Sequence, residues 1–129
     1  KYEATTPDMA MLTVVTNRIG NAYQKIHNPQ LGKSNDIEFH RNIGEKLYKE
    51  KYDTIKRFSV GGMSGLVMVL KKSIWRDAGG FKEDGILGVD NEFHSKIRKK
   101  LHKEIYIMEG VYVYHWYRNN IHNNKKHLL

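Results

Sequence analysis

Four short motifs in a fixed order constrain this sequence more than any other feature. They are GGMSGLVMVL at 61–70, AGGF at 78–81, GVDNEF at 88–93 and VYVYH at 111–115. Glycine lets a backbone come close to a ligand, and a carboxylate on a loop that opens a helix is placed where a general base works. A histidine at the end of a strand is able to bind a metal. None of the motifs is specific alone, so the information lies in their order and spacing.

Apolar patterning predicts the elements of the first half of the chain. Residues 9–15 are apolar with high β-propensity, which predicts a buried strand. Apolar residues recur at helical spacing over 36–50, and we expect a helix there with Asn35 as N-cap and Glu38 in the capping-box position. The apolar run at 66–71 predicts a second buried strand.

The second half is predicted to contain two helices followed by two strands. A short helix is expected over 73–78, with Gly79 as its C-terminal stop. Acids in the first turn and bases in the last turn predict a helix over 90–101, because this arrangement suits the helix dipole. Phe93, Ile97 and Leu101 are spaced one turn apart, which predicts one apolar stripe along this helix. Residues 105–108 and 111–114 predict two short strands.

Length and composition limit the class of protein. A chain of 129 residues is at most one domain. We expect one α/β domain over 1–129, with a short mixed sheet, flanking helices and a frayed tail at 119–129. The absence of cysteine excludes disulfides, thiolate metal sites and thiol nucleophiles. The longest apolar run, 66–70, is strand-sized and far below the roughly 20 residues of a membrane span.

The formal net charge of +8 has three interpretations. The first is a solvated, lysine-rich surface, and the second is attraction to an anionic ligand or membrane surface. Nucleic-acid binding ranks last, because the bases do not alternate with aromatic residues as in a stacking platform. Five bases cluster at 96–103, and His94 and His102 are expected to be solvent-exposed on the same basic helix face.

A longer pattern with defined spacing connects these motifs. It comprises TNRIGN at 16–21, SG at 64–65, KK at 71–72, Trp75, GGFKE at 79–83, VDNE at 89–92 and the strand that ends in His115. The pattern resembles that of nucleotide-sugar glycosyltransferases of the GT-A type, in the large inverting family two, and covers roughly residues 9–118. The sequence departs from the family pattern at Lys82, Val89 and Glu92, which leaves the details of substrate chemistry open.

The resemblance implies a partial GT-A domain, namely its C-terminal, acceptor-side half. A full GT-A domain begins with βα units that bind the nucleotide and ends them with a D-x-D metal motif. The acids of DIE at 36–38 are better explained as capping charge, so we expect a fragment that starts after the D-x-D strand. The full-length enzyme would use Mn²⁺ or Mg²⁺, a nucleotide-sugar donor and a saccharide or lipid-linked acceptor.

Asp90 occupies the position that the family uses for its catalytic base. A single base suffices in inverting transfer, since it removes the proton of the acceptor hydroxyl while that oxygen attacks the anomeric carbon. The competing interpretation is that Asp90 caps the following helix, and the two roles are compatible. Glu92 is expected either to hold the acceptor or to serve only as a first-turn acid.

Four further candidates carry two interpretations each. His115 would contact the metal together with D-x-D carboxylates that this chain lacks, or it is a satisfied structural histidine. Arg118 meets a phosphate or the acceptor through forked hydrogen bonds, or it is a surface charge. Gly65 and Trp75 are candidates for contact with the acceptor. The competing interpretations are that Gly65 is a turn glycine and that Trp75 is a core residue.

Together these observations predict a glycosyltransferase that moves a sugar from a nucleotide diphosphate to an acceptor hydroxyl with inversion. The isolated chain is expected to be inactive, because it lacks the donor-binding half. The alternative is a non-catalytic basic module that binds nucleic acid or an anionic glycan. We expect a cytoplasmic protein without a specific nucleic-acid partner, with association at the inner face of a membrane as a further alternative.

Overall fold

The computed structural model of the chain describes residues 1–17, 22–26, 31, 34–58, 63–83 and 88–115. Within these residues the chain forms four strands, three α-helices and one 3-10 turn. In chain order they are β1 (Met9–Thr16), the 3-10 turn (Ala22–Gln24), α1 (Ile37–Lys51), β2 (Ile55–Phe58), β3 (Val69–Leu70), α2 (Lys72–Ala78), α3 (Val89–Leu101) and β4 (Glu104–Val113). The predicted α/β class with a mixed sheet and flanking helices is confirmed.

The four strands form one sheet in the order β2-β4-β1-β3. The central strands β1 and β4 are parallel, and their pairing runs from Met9 opposite Glu104 to Thr16 opposite Val113. Both strands therefore end at the same edge of the sheet, which we call the carboxyl edge. In open α/β sheets, ligands bind in the crevice outside this edge.

The first predicted strand is confirmed and lies at the centre of the sheet. Its residues Ala10, Met11 and Val14 are buried, and Thr13 is completely buried as well. Central strands of such sheets are covered on both faces, so they are recognisable as nearly continuous apolar runs. The apolar pattern of 9–15 was therefore sufficient to predict this strand.

The predicted buried strand at 66–71 is wrong in length and in burial. Only Val69–Leu70 pairs, antiparallel to β1 at the edge of the sheet, and Val69 is 51% exposed. Residues 65 and 66 form a turn instead. The preceding residues 63–65 hydrogen-bond to side chains from other elements, so their amides are not available to a strand ladder.

The two predicted strands at 105–108 and 111–114 are one continuous strand, β4. Its register against β1 shifts between Met108 and Tyr112, and Glu109 donates its amide to the carbonyl of Thr54. Gly110 lets the strand pass close to α1, since a Cβ there would lie 2.6 Å from the carbonyl oxygen of Lys51. Gly110 therefore marks a close approach between backbones rather than a break between strands.

The predicted helices are found within one residue of their expected ends, and the N-cap of the first is displaced by one residue. The N-cap of α1 is Asp36 rather than Asn35, because Asp36 Oδ1 accepts the amides of Glu38 and Phe39 at 2.9 and 3.2 Å. The acids of 36–38 thus include a true capping charge. Gly79 ends α2 in the left-handed conformation with φ 92°.

The helix α3 packs an apolar stripe against the sheet. Phe93 and Ile97 are completely buried, and the half-buried Leu101 continues the stripe, as the sequence predicted. Full burial of each such side chain stabilises the fold by about 1.5–3 kcal/mol. Within the described residues, no helix combines the length and apolar character that crossing a membrane requires.

Candidate functional site

The carboxylate of Asp90 is the centre of the candidate site. Its Oδ2 accepts the amide hydrogen of Gly65 at 2.8 Å, and its Oδ1 accepts that of Asn91 at 2.9 Å. An ionised carboxylate offers about four acceptor positions. Two backbone amides therefore fix the orientation of the half-buried Asp90 side chain and leave it acceptor capacity for another hydroxyl.

The capping interpretation of Asp90 is wrong for the N-cap position itself. The N-cap of α3 is Gly88, which adopts φ 78° and provides no side-chain hydrogen bond. Asp90 is the second residue of the helix, where the dipole favours a negative charge. Its carboxylate reaches across to Gly65, so it connects two segments as well as serving the helix terminus.

Gly65 is required at its position by the closeness of Asp90. A Cβ at residue 65 would lie 2.9 Å from Asp90 Cβ and 3.4 Å from Asp90 Oδ2. The first distance is shorter than any normal contact between such atoms, and Asp90 Cβ is held by the helix backbone. The sequence-predicted pair of Gly65 and Asp90 is thus brought into direct contact.

The backbone next to Gly65 is held by Gln24, which follows β1 in the 3-10 turn. Gln24 Oε1 accepts the Ser64 amide at 2.9 Å, and Gln24 Nε2 donates to the Ser64 carbonyl at 3.4 Å. The same Nε2 donates to Thr13 Oγ1 at 2.9 Å, which connects the loop to the centre of β1. Gln24 is completely buried, and no local sequence pattern marks it as a site residue.

Three polar side chains on one face of α3 contact the end of β2 and the segment that follows it. Asp90, His94 and Arg98 are spaced four residues apart, so they lie on one face of the helix. His94 Nδ1 accepts the Met63 amide at 3.4 Å, and an Arg98 nitrogen donates to the Phe58 carbonyl at 2.6 Å. The i, i+4 spacing of Asp90 and His94 was the available sequence signal for this face.

The prediction that His94 is solvent-exposed is wrong. His94 is only 1% exposed, and its Nε2 is buried without a hydrogen-bond partner among the described residues. Burial lowers the pKa of His94 to about 4, while the nearby Asp90 opposes this shift and Arg98 adds to it. The imidazole is therefore neutral near pH 7, as its role as acceptor at Nδ1 requires. His102 is exposed, as predicted.

Glu92 takes part in an ion pair beside the candidate base. Its Oε1 lies 2.8 Å from the ammonium nitrogen of Lys96, which also donates to the Gly80 carbonyl at 3.2 Å. The other carboxylate oxygen, Oε2, is buried and has no hydrogen-bond partner among the described residues. Glu92 is thus a first-turn acid with one carboxylate oxygen that is able to accept a further hydrogen bond. Its role in binding the acceptor substrate stays a prediction.

Trp75 is not the core residue that one interpretation expected. It is 39% exposed, and its ring lies 6.3 Å from that of Phe81, which in turn lies 4.7 Å from that of Phe93 on α3. Gly80 permits this packing, since a Cβ there would lie 3.1 Å from the Trp75 ring. Trp75 therefore presents part of an aromatic surface to solvent.

His115 lies at the carboxyl edge of the sheet, where Asn17 holds its backbone. Asn17 Oδ1 accepts the His115 amide at 2.7 Å, and Asn17 Nδ2 donates to the His115 carbonyl at 3.2 Å. The buried Asn17 thus joins the end of β1 to the chain just after β4. The other candidate of this region, Arg118, lies outside the described residues, as do Gly61, Gly62 and the tail at 119–129.

The described residues do not by themselves form a metal site. None of them belongs to a group of three or more His, Asp or Glu side chains that could hold a metal ion. A single imidazole binds Mn²⁺ or Mg²⁺ poorly, because both ions prefer oxygen ligands. The proposed metal contact of His115 therefore requires ligands from outside the described part of the chain and stays a prediction.

Comparison of the chain with protein-family models, with curated proteins and with solved structures gives no match. The function of the chain is therefore inferred from its own residues, their motifs and their geometry.

Proposed function

We propose that this chain is the acceptor-side part of an inverting glycosyltransferase of the GT-A type. It would transfer a sugar from a nucleotide-diphosphate donor to an acceptor hydroxyl, with Asp90 as general base. The observation that carries the proposal is the Asp90 carboxylate, which two backbone amides orient at the first turn of α3. The motif order, with its Gly65 and Asp90 in contact, supports the same interpretation.

In the proposed reaction, Asp90 accepts the proton of the acceptor hydroxyl as that oxygen attacks the anomeric carbon. A new carbon–oxygen bond forms on the face opposite the diphosphate, and the bond between the anomeric carbon and the diphosphate oxygen breaks. The nucleoside diphosphate leaves with the electron pair, and the configuration at the anomeric carbon inverts. One positioned base is sufficient, because no covalent sugar–enzyme intermediate forms.

The remaining parts of the proposal concern groups beyond the described residues. The donor-binding half would be encoded N-terminal to Lys1, and a Mn²⁺ or Mg²⁺ ion would be held by its carboxylates together with His115. Such an ion balances the charge of a diphosphate leaving group. The net charge of +8 suits anionic partners of this kind, including a nucleotide diphosphate or a lipid-phosphate acceptor at the inner face of a membrane.

The test is sugar transfer by the protein extended to include the donor-binding half. UDP-, GDP- and dTDP-sugars are supplied with Mn²⁺ and a mixture of saccharide and lipid-linked acceptors, and release of nucleoside diphosphate is measured. Asp90→Asn keeps the shape of the side chain and removes its basicity, so turnover should fall about 100-fold or more. Asp77→Asn is the control, because Asp77 is an exposed acid on α2 whose side chain is 56% accessible.

Donor binding separates the two functional classes. In the proposed transferase, Asp90→Asn binds the nucleotide sugar as tightly as the parent protein while turnover is lost. Full turnover by Asp90→Asn would remove Asp90 from the role of base. If the extended protein turns over none of these donors but binds an anionic glycan or nucleic acid, the basic binding module becomes the better description.

A further inference from the structure

Three consecutive backbone amides, those of residues 63–65, donate to side chains from distant parts of the chain. The acceptors are His94, Gln24 and Asp90, in that order along the loop. A surface loop usually leaves such amides to water. Here two of the three accepting side chains are buried, with Gln24 0% and His94 1% exposed. Burying a polar side chain is unfavourable unless it is hydrogen-bonded, so the bonds to these amides offset part of the cost of burying Gln24 and His94.

Gln24 binds both backbone groups of Ser64. Its Oε1 accepts the Ser64 amide and its Nε2 donates to the Ser64 carbonyl, as a neighbouring strand would do. The bond from Nε2 to Thr13 Oγ1 fixes the orientation of the amide group. Ser64 is thereby held at a fixed distance from β1, and the next residue in the chain is Gly65.

His94 binds the other neighbour of Ser64. Its Nδ1 accepts the Met63 amide only when that nitrogen carries no proton. Burial lowers the pKa of His94 to about 4, so the required neutral form is present near pH 7. Asp90 and Arg98 are the charged groups that act on His94 from the same helix, and their effects oppose each other.

We propose that Gln24 and His94 are positioning residues for the proposed base, because they hold residues 63–65 where the Gly65 amide reaches Asp90. They act through the loop, which presents one amide to Oδ2 and so keeps the carboxylate in one orientation. The effect of Gln24 and His94 on catalysis rests on the proposed function of Asp90. Their effect on the position of residues 63–65 does not.

The first test measures hydrogen exchange of the Gly65 amide by NMR in this 129-residue chain. Gln24→Met and His94→Leu keep side-chain size and remove the hydrogen bonds, whereas His94→Gln keeps a side-chain oxygen as acceptor. We expect exchange at Gly65 to become at least tenfold faster in Gln24→Met and His94→Leu and to change less than threefold in His94→Gln. The amide of Ile107 in β4 is the internal control and shows that each variant is folded.

Thr13→Val provides a milder variant if the larger changes unfold the chain. It removes only the acceptor that orients Gln24 Nε2 and keeps the shape of the residue. Faster exchange at Ser64 and Gly65, with Ile107 unchanged, is the expected result. Unchanged exchange at both loop amides in the folded variants would overturn the positioning role.

The second test measures transfer kinetics in the extended protein. Gln24→Met should lower kcat about tenfold with little change in the donor KM, and His94→Gln should restore most of the activity that His94→Leu loses. Combined with Asp90→Asn, Gln24→Met should cause no additional loss, because it acts through Asp90. An additive loss would overturn the positioning role.

The two tests separate the failure of this inference from the failure of the proposed function. If exchange at Gly65 is faster in Gln24→Met while Asp90→Asn keeps full activity, Gln24 does hold the loop but Asp90 is not the base. Loss of activity in Asp90→Asn together with unchanged exchange in Gln24→Met would retain the base and reject the positioning role of Gln24 and His94.

Discussion

Gly65 donates its amide hydrogen to Oδ2 of Asp90 across 2.8 Å, although the two residues are 25 positions apart in the chain. The same two residues are so close that residue 65 has no room for a Cβ atom. The sequence motifs around them are separated in the chain by β3 and α2. The tertiary structure brings the glycine-rich motif and the acidic motif together in one candidate site through this contact.

The first prediction concerns Gly65→Ala. The added methyl group would lie 2.9 Å from Asp90 Cβ, so the loop or the helix must move. We expect the free energy of unfolding to fall by about 1–3 kcal/mol, the usual cost of overpacking. Urea unfolding measures this change. The control is Gly44→Ala in α1, where the added Cβ would lie 3.4 Å from the Tyr112 ring. The free energy of unfolding of this variant should stay equal or rise by up to about 1 kcal/mol. Equal effects of both substitutions would contradict the close contact at Gly65.

The second prediction concerns the pH dependence of stability. The pKa of His94 is lowered from 6.5 to about 4 in the folded protein. Between these values the unfolded chain binds a proton that the folded chain does not, so stability falls as the pH is lowered from about 6.5 to 4. The loss from this group amounts to about 3 kcal/mol.

His94→Gln should remove this pH-dependent loss, because glutamine does not titrate. Urea unfolding at pH 7 and at pH 4.5 gives the comparison, and the difference between the two should be smaller in the variant than in the parent chain. His102→Asn, at an exposed histidine in the left-handed conformation that ends α3, is the control and should leave the difference unchanged. An identical pH dependence in the parent chain and in His94→Gln would contradict the buried neutral imidazole.

The third prediction concerns the link between β1 and the chain after β4. Asn17→Ala removes the acceptor of the His115 amide and the donor to the His115 carbonyl. Because the site is partly buried, we expect a loss of about 2 kcal/mol in the free energy of unfolding. Asn91→Ala, at an exposed residue in the first turn of α3, should change stability by less than about 0.5 kcal/mol. If Asn17→Ala lowers the free energy of unfolding no more than Asn91→Ala does, the Asn17 contacts contribute little to stability.

The fourth prediction concerns nucleotide binding by the 129-residue chain. The proposed donor half and its D-x-D motif are not part of this sequence. Calorimetry with common nucleotide sugars and Mn²⁺ should therefore show no saturable binding at micromolar concentrations, and no sugar should be transferred. Tight, metal-dependent binding by this chain would show that the donor site is built from its own residues.

The fifth prediction concerns nucleic acid. The positive charge is carried mostly by lysines spread over the chain, so any affinity should be weak and independent of sequence. Counterion release would supply it, and binding should weaken steeply as salt rises. Fluorescence anisotropy with DNA and RNA of several sequences is the measurement. A sub-micromolar complex that discriminates between sequences more than tenfold would place the binding module ahead of the transferase.

Local patterns were sufficient for the elements whose signal lies within one turn or one strand. The helix α3 is predicted by the charges at its ends and by the stripe of Phe93 and Ile97. The central strand β1 is predicted by its apolar run, since both of its faces are covered. Gly79 ends α2 because glycine readily adopts the left-handed conformation found there.

The edges of the sheet were not predictable in the same way. β2 contains Lys56 and Arg57 between Ile55 and Phe58, so its apolar pattern is short, and we did not predict it. β3 is limited to two residues because the preceding loop is bound by side chains rather than by a strand. The pairing of an edge strand depends on its neighbours more than on its own sequence.

By itself, the sequence determined the α/β class, the main helices and the central strand, because each rests on residues close together in the chain. The choice of Gly65 and Asp90 as site candidates came from the order of the motifs and the family pattern that they resemble. Only the tertiary structure decided that these two residues touch, that His94 is buried and that Gln24 holds Ser64. The reason is that these contacts join residues 25 to 40 positions apart. Burial and hydrogen bonding of a polar side chain are decided by the segments that fold against it, and no local pattern contains that information.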